Sequence, residues 1–428
     1  MCQKRYTVKS AILAVPLCCC MLPSAAWAVD WSANATLSEA VEFNDNLYLR
    51  TMLAGGPFAN SVIGSYSTIT ANAKARTPDY IFNIDGSISY RKYFGPGSEG
   101  VASENLGGGL HAHYETKDNT PGDRNYLDLS WHRQTTAFAL LGDLGVTSNV
   151  TGDIDRTTLR GGIDRSLTSR DLVSLSAQST LTTYDPAQAG TQFSDSVANA
   201  TWRHKVSSIA TLIASSDVEW LNFASPANAQ ALFLRENAGV DLALSPVLSF
   251  RGTAGMSYVK AEGGSAASIL PTSVGTTNGS ATGFITDMLL TYKMLKSTTL
   301  TLSGTKSIAP SVVGTLVERT TVGAGLSYIV NSRSSLSFAS NISEQTSSGT
   351  TADFFSASVA YSYMLTREWN AQLSYRYLHR FASSGSTSSG LIDPTSGIPI
   401  LNPGTGPANS NSILMVVSRS VSILPDGY

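Results

Sequence analysis

The chain has 428 residues, of which 14% are charged, and its formal net charge is −2. A charged fraction well below the roughly 25% of soluble domains argues against an ordinary soluble protein. The acidic balance argues against a nucleic-acid partner, which would need a basic surface. Few charges without long apolar runs are typical of a membrane β-barrel, whose apolar face is spread over alternate residues of many strands. The same composition would suit a large secreted β-solenoid or adhesin.

Residues 1–28 have the features of a cleaved secretory signal. A basic start is followed by a short apolar stretch, 11–22, and by a small-x-small cleavage signature, Ala26-Trp27-Ala28. We therefore predict cleavage after Ala28, which makes residues 29–428 the mature chain. A retained membrane anchor is the less favoured interpretation, because a helix needs roughly 20 apolar residues to span a bilayer. The basic residues are Lys4, Arg5 and Lys9.

The cysteines leave open a second interpretation of this segment. Cys18 follows Pro16 and Leu17, which is a poor match to the Leu-small-small-Cys pattern at which lipoproteins are modified. All the cysteines, Cys2 and Cys18-Cys19-Cys20, lie inside the predicted signal. The predicted mature chain therefore contains neither disulfides nor thiolate metal sites.

From residue 29 onward the sequence consists of short segments with a two-residue hydrophobic period. In the segment 80–91, for example, Phe82 and Ile84 alternate with Asn83 and Asp85. Successive side chains of a β-strand point to opposite faces, so this pattern predicts strands with one apolar and one polar face. The same alternation is found at 248–258, 319–330 and 371–377.

Turn-forming residues divide these segments into hairpins with one short and one long connection. From residue 168 the short turns recur at intervals of roughly 36 to 50 residues, which fits two membrane strands of about 9–11 residues plus one outer loop. This spacing predicts a single-domain, all-β, transmembrane antiparallel β-barrel of about 18 strands, from Trp31 to about Ile423. The short turns lie near 77–79, 168–170, 207–208, 245–246, 296–297, 331–333 and 366–368, and the clearest long loops are 51–63, 94–103, 261–281 and 382–410.

An even strand number places both ends of the barrel on the periplasmic side. Because the first strand begins almost at the predicted cleavage site, we expect no plug ahead of the barrel, and the loops 382–410 and 261–281 are the candidates to occlude it. Many Tyr and Trp residues near strand ends, among them Tyr66, Tyr93, Tyr126 and Tyr184, are expected to form girdles at the two membrane interfaces. A solenoid would show regular repeats of about 20–30 residues, and the sequence lacks them.

The polar faces of the predicted strands carry charges of both signs. Opposite charges on neighbouring strands would brace the wall, and rings of charge would tune the selectivity of a water-filled lumen. A barrel of about 18 strands is wide enough for such a channel. The candidate lumen-lining residues are Asn83, Asp85, Arg91, Asp128, Arg156, Arg160, Asp164, Arg235, Asp241, Arg251, Asp287, Arg319, Gln372 and Arg376.

Histidines and carboxylates form one candidate chemical site. His111, His113 and Glu115 share a face of one predicted strand, and His132 lies on the next strand. Such a set could bind a metal, but the favoured interpretation is ordinary polar lumen residues, and we predict no metal site. The sequence contains no Gly-x-Ser-x-Gly elbow, His-Glu-x-x-His motif, phosphate-binding loop or dinucleotide fingerprint. We therefore predict no catalytic residues, no cofactor and no enzymatic activity.

Three parts of the sequence carry a family resemblance. They are Glu-Phe-Asn-Asp-Asn-Leu at 42–47, Leu-Thr-Ser-Arg-Asp-Leu at 167–172 leading into Ser-Leu-Ser-Ala, and Met-Leu-Thr-Arg-Glu-Trp at 364–369 leading into Leu-Ser-Tyr-Arg-Tyr. They resemble the outer-membrane β-barrel porin family encoded near bacterial exopolysaccharide loci, in which an Asp-Asn pair follows the first strand and Leu-Thr-x-Arg-like turns join the strands. The resemblance covers most of the predicted mature chain through degenerate motifs. It implies an outer-membrane barrel with a part in handling secreted polysaccharide.

The sequence thus predicts a polar pore in the outer membrane of a Gram-negative bacterium, for polysaccharide export or for passive passage of polar solutes. A non-conducting structural or accessory barrel that acts through its extracellular loops is the alternative. The expected partners are outer-membrane lipid, lipopolysaccharide and the barrel-assembly machinery. Export would add polysaccharide and export-machinery proteins, and no nucleic acid is expected.

Overall fold

The computed structural model describes most of the chain after residue 28. The described residues are 29–47, 49, 61–98, 104–117, 122–135, 152–185, 192–224, 229–262, 279–310, 316–347, 350–381 and 407–424. The predicted signal, 1–28, lies outside them. No helix among the described residues is long and apolar enough to cross a bilayer.

The described residues form 18 β-strands and one short 3-10 turn, Pro96–Ser98. The strands are β1 (Asp30–Asn44), β2 (Val62–Arg76), β3 (Tyr80–Phe94), β4 (Glu104–Lys117), β5 (Arg124–Thr135), β6 (Asp153–Ser166), β7 (Asp171–Asp185), β8 (Phe193–Lys205), β9 (Ala210–Phe223), β10 (Gln230–Ser245), β11 (Leu248–Glu262), β12 (Gly279–Leu295), β13 (Thr298–Pro310), β14 (Leu316–Asn331), β15 (Ser334–Ser347), β16 (Thr350–Met364), β17 (Trp369–Arg380) and β18 (Ala408–Leu424).

The strands form one closed barrel. Each strand pairs antiparallel with its neighbours in the sequence, and β1 also pairs with β18, so that Asn44 lies opposite Ser412 and Leu37 opposite Arg419. Closure gives every strand a partner on both sides, which removes the exposed edges of an open sheet. The predicted all-β antiparallel barrel and its strand number are confirmed.

Short turns join the strands at one end of the barrel, which we call the turn end; β1 begins and β18 finishes there. Most of these turns depend on a hydroxyl side chain. In the β6–β7 turn, for example, Thr168 Oγ1 accepts hydrogen bonds from the backbone N–H groups of Arg170 and Asp171, at 3.1 and 3.0 Å. Such local side-chain bonds favour turns over continued strand. The described connections at this end are 77–79, 167–170, 206–209, 246–247, 296–297, 332–333 and 365–368, and each coincides with a predicted turn.

The opposite end, which we call the loop end, carries the remaining connections. They include the predicted loops, although the strands extend further than expected: β2 begins at Val62, β11 continues to Glu262 and β18 begins at Ala408. Most residues of the predicted loops, including 51–60, 263–278 and 382–406, lie outside the described residues, as does the segment 136–151.

The inner face of the wall is identified by contacts between strands that are not neighbours, because only the concave face brings them together. Phe193 on β8, Phe233 on β10 and Ile308 on β13 belong to one buried cluster. From β10 the pairing register assigns a face to every residue around the barrel. The inner face is mainly polar, apart from this cluster and a smaller one near β1.

The outer face is apolar. Side chains on this face are large, hydrophobic and exposed along nearly every strand, as a lipid-facing surface would be. They include Leu37, Val41, Ile69, Ile88, Leu110, Leu129, Leu159, Leu175, Met256, Phe284, Met288, Leu302, Val322, Ile342, Leu373 and Met415. Several aromatic residues lie on this face near the strand ends; at the loop end Tyr375 and Tyr377 donate hydrogen bonds to Asn411 and Asn409. The girdle expectation was wrong for Tyr66, Tyr93, Tyr126 and Tyr184, which the register places on the inner face.

Candidate functional site: the barrel interior

The register places every predicted lumen-lining residue on the inner face. Several face a partner of opposite charge across one strand pair: Asp128 lies opposite Arg160, and Asp241 opposite Arg251. The Arg251–Asp241 ion pair closes at 2.8 Å. The others are Asn83, Asp85, Arg91, Arg156, Asp164, Arg235, Asp287, Arg319, Gln372 and Arg376. Whether these residues line a conducting path stays a prediction.

The two halves of the inner wall differ in charge. Acidic residues on the inner face of the described strands all lie on β1–β12; they are Asp30, Glu42, Asp85, Glu115, Asp128, Asp164, Asp195, Asp217, Glu219, Asp241 and Asp287. The charged inner-face residues of β13–β18, again among the described strands, are Arg319, Arg376 and Arg380. A polar solute inside the barrel would meet carboxylates mainly on one side, which favours a preferred orientation for a solute with a dipole.

The predicted histidine cluster forms a hydrogen-bonded band across β3–β6. His113 Nδ1 lies 2.6 Å from Asp128 Oδ1, and His111 lies 3.5 Å from both Asp128 and Asp85. Glu115 continues the band, because its Oε2 lies 3.4 Å from Arg124 Nη1 on β5. Each carboxylate therefore serves as a partner for side chains on its own or neighbouring strands. Among the described residues no group of three histidine or acidic side chains is arranged to hold a metal ion.

The wall divides at the loop end of β12 and β13. Hydrogen-bonded pairing between these strands runs from the turn end to Thr286 and Lys306 and then stops. Beyond that point residues 279–285 of β12 stay paired with β11, and residues 307–310 of β13 stay paired with β14. We call residues 307–310, together with residues 316–319 that pair with them, the β13–β14 flap; on its other side β14 stays paired with β15 as far as Glu318 and Thr346.

The flap turns into the barrel and passes inside β12. Ile308 shares a face of β13 with Lys306, which lies on the outer side of the wall, yet its side chain packs on the inner face of β12 at Gly283. The approach is close: a Cβ on Gly283 would lie 2.5 Å from Ile308 Cδ1. Ile308 is 5% exposed and contacts the apolar cluster on the inner faces of β8–β11. Burial of this side chain thus holds the strand end away from the wall.

A buried ion pair reinforces the same contact. Arg235 Nη2 lies 2.6 Å from Glu219 Oε2 and also donates to the backbone carbonyl of Ile308 at 3.0 Å. The side chains of Arg235 and Glu219 are 17% and 5% exposed. Because the Ile308 carbonyl has no strand partner on the β12 side, the guanidinium supplies the hydrogen bond that the lost pairing would have made.

A polar cavity of about 430 Å³ lies between the flap and the opposite wall. Ser307, Ile308 and Ala309 of the flap form one side. The inner faces of β6–β10 form the other side with Arg156, Thr158, Gln178, Thr180, Thr182, Phe193, Asp195, Glu219 and Arg235. The flap therefore narrows the interior and leaves a solute-sized space beside it.

The start of the β1–β2 connection also turns inward. It forms hydrogen bonds across the barrel seam, which is the junction between β1 and β18. Asp45 accepts hydrogen bonds from the backbone N–H and side-chain amide of Asn411, at 2.7 and 2.6 Å, and Asn46 donates to the Asn409 carbonyl at 2.9 Å. Leu49 beyond them is fully buried on the inner face of β16–β18. The Asn-Asp-Asn segment that carries part of the family resemblance therefore joins β1 to β18.

The sequence predicted Arg235 and Arg156 as inner-face residues. It did not identify Asp195 and Glu219, which lie beside them in the cavity. Asp195 and Glu219 lie on inner faces of strands whose alternation is interrupted by polar residues on both sides. One weak signal in the sequence marks the flap. Pro310 has no backbone N–H and cannot donate a hydrogen bond to a neighbouring strand, so a proline is typical of the edge of a sheet. The predicted occluding loops lie mostly outside the described residues, and the occlusion that is described comes from β13–β14.

Comparison with known proteins gives a likeness of fold. No protein-family model matches the sequence, and no curated protein sequence matches it. Among solved structures, the FrpB iron transporter from Neisseria meningitidis in its apoprotein form is similar with a TM-score of 0.50 at 8% sequence identity, over 92% of this chain and 81% of that one. OccAB2 from Acinetobacter baumannii is similar with a TM-score of 0.44 at 7% identity, over 92% of this chain and 98% of that one. At such identities the likeness to the FrpB structure supports the barrel fold alone.

Proposed function

We propose that the chain forms a channel in the outer membrane of a Gram-negative bacterium through which small polar solutes pass. The observation that carries this proposal is the two-faced closed wall, apolar outside and polar inside. In lipid every backbone polar group needs an internal partner, and a closed barrel supplies it. The strands have 12 to 17 residues, which is more than the roughly 9–11 needed to cross a bilayer.

The dimensions suit passage of solutes larger than water. With strands about 4.8 Å apart and tilted by about 40°, an 18-stranded wall is roughly 35 Å across between opposite backbones. Side chains and the β13–β14 flap take up part of this width. Charges of both signs on the inner face favour polar solutes over apolar ones, and the FrpB structure, whose name describes a transporter, has the same type of barrel.

Single-channel conductance of the refolded mature chain in a planar bilayer, with and without added oligosaccharide, tests the proposal. We expect stable open steps. A barrel that is correctly folded, as judged by its heat-dependent migration on a gel, but gives no steps would contradict the channel. It would leave the alternative of a structural or accessory barrel that acts through its extracellular loops.

A narrower version makes the solute a polysaccharide on its way out of the cell. Its support is the sequence resemblance at 42–47, 167–172 and 364–369 to porins encoded near exopolysaccharide loci. In this version the barrel works with export-machinery proteins, in contact with outer-membrane lipid and lipopolysaccharide, and has no enzymatic role. Open steps that oligosaccharide does not reduce, together with unchanged secreted glycan after gene deletion, would leave a general channel.

A further inference from the structure

The cavity beside the β13–β14 flap contains polar atoms that lack partners. Thr182 is fully buried, and its Oγ1 has no hydrogen-bond partner among the described residues. Asp195 Oδ1 is likewise buried, with no hydrogen-bond partner in the part of the chain that the structure describes. Both residues line the same cavity. A buried polar atom without a partner costs about 1–3 kcal/mol, so a ligand that supplies the missing hydrogen bonds would be favoured here.

The charges around this cavity do not cancel in pairs. Asp195 lies beside Glu219, and Arg235 is committed both to Glu219 and to the Ile308 carbonyl. The Asp195 carboxylate therefore has no hydrogen-bonded cation beside it among the described residues, although Arg156 acts on it electrostatically from across the cavity. A cationic N–H donor is the group that would satisfy both this charge and the free acceptor.

An arginine lies across the cavity from Asp195. Arg156 is exposed and lines the cavity, where it acts electrostatically on Asp195. By register Arg156 lies opposite Thr182, whereas Asp195 lies opposite Thr180 on the far side of β7. Strand spacing of about 4.8 Å and a residue rise of about 3.4 Å put the two Cα atoms roughly 12 Å apart. The two charged groups therefore face the cavity from separate positions.

We propose that this cavity binds a small zwitterion of amino-acid or dipeptide size. The ammonium group donates to Asp195 Oδ1, near the Thr182 hydroxyl, and the carboxylate of the same solute is bound by Arg156, which favours planar bidentate anions. As a step in solute passage this site rests on the proposed channel function. The binding itself is measurable without conduction.

Calorimetric titration of the refolded full chain in detergent micelles tests the site with four probes. They are the dipeptide Ala-Ala, its C-terminal amide, its N-acetyl form and the neutral sugar maltose. We expect Ala-Ala to bind at least ten-fold more tightly than either singly charged form or maltose. Asp195→Asn should weaken Ala-Ala and the amide at least ten-fold, and Arg156→Gln should weaken Ala-Ala and the acetyl form to a similar extent.

Glu344→Gln is the matched control, because Glu344 lies on the outer face of β15, away from the cavity. Equal affinity for the three peptide forms, tighter binding of maltose, unchanged binding by the Asp195→Asn variant, or no binding at all would each overturn the proposal. The two proposals fail separately. A barrel that conducts without binding Ala-Ala would contradict the proposed site but not the channel. A barrel that binds Ala-Ala without conducting would contradict the channel but not the site.

Discussion

Ile308→Ala should release the β13–β14 flap from the inner wall. The Ile308 side chain is 5% exposed and is the part of the flap that enters the apolar cluster of β8–β11. Burying a side chain of this size stabilises the contact by about 1.5–3 kcal/mol, and truncation to alanine removes most of it. A loss of about 1–2.5 kcal/mol shifts the balance between docked and undocked flap roughly 5- to 60-fold, since each 1.4 kcal/mol is a factor of ten.

Single-channel recording of the variant in a planar bilayer measures this shift. If the flap narrows the lumen, we expect larger or more frequent open steps than in the wild-type protein. Ile342→Ala is the control, because Ile342 is 59% exposed on the outer face and loses the same atoms without touching the flap. A folded Ile308→Ala barrel with the step size and noise of the wild type would refute the idea that this packing restricts the channel.

Three further predictions concern stability. Arg235→Ala should lower the free energy of unfolding by about 3–5 kcal/mol, because it leaves the Glu219 carboxylate buried without its partner. Urea titration in micelles measures this free energy, and a loss under 1 kcal/mol would contradict the prediction. Asp45→Ala removes two hydrogen bonds to Asn411 across the barrel seam and should cost about 1–3 kcal/mol, seen as a lower temperature of conversion on a heat-modifiability gel; an unchanged temperature would show that the seam does not need them. Gly255→Ala should prevent normal folding, because a Cβ there would collide with the Glu236 backbone carbonyl; a normal yield of heat-modifiable barrel would show that the strands can separate.

The barrel fold could be predicted because its signals are local. Alternation such as that of Phe82, Asn83, Ile84 and Asp85 reports which face each residue occupies, and turn residues such as Thr168 act on their own backbone neighbours. Neither needs knowledge of the distant parts of the chain. The same locality explains why aromatics such as Tyr66 and Tyr126 were placed wrongly in girdles, since an aromatic ring fits either face of a strand.

The site could be predicted only in part, because it depends on contacts between distant parts of the chain. Arg156 and Arg235 were identified as inner-face residues, but their neighbours depend on contacts across the barrel. Asp195 and Glu219 become important because the flap approaches them, and no local pattern states that Ile308 will pack on Gly283. Contacts between strands that lie several positions apart in the barrel decide which residues form the site.

By itself, the sequence determined an antiparallel barrel of about 18 strands with an apolar outer and a polar inner face, because a period of two is fixed by strand geometry. Tertiary structure alone decided where the wall parts. Pairing between β12 and β13 ends at Thr286 and Lys306, and beyond that point the flap buries Ile308 and accepts a hydrogen bond from Arg235 in place of completing the ladder. That competition between backbone pairing and side-chain burial sets the width of the interior and creates the cavity beside it.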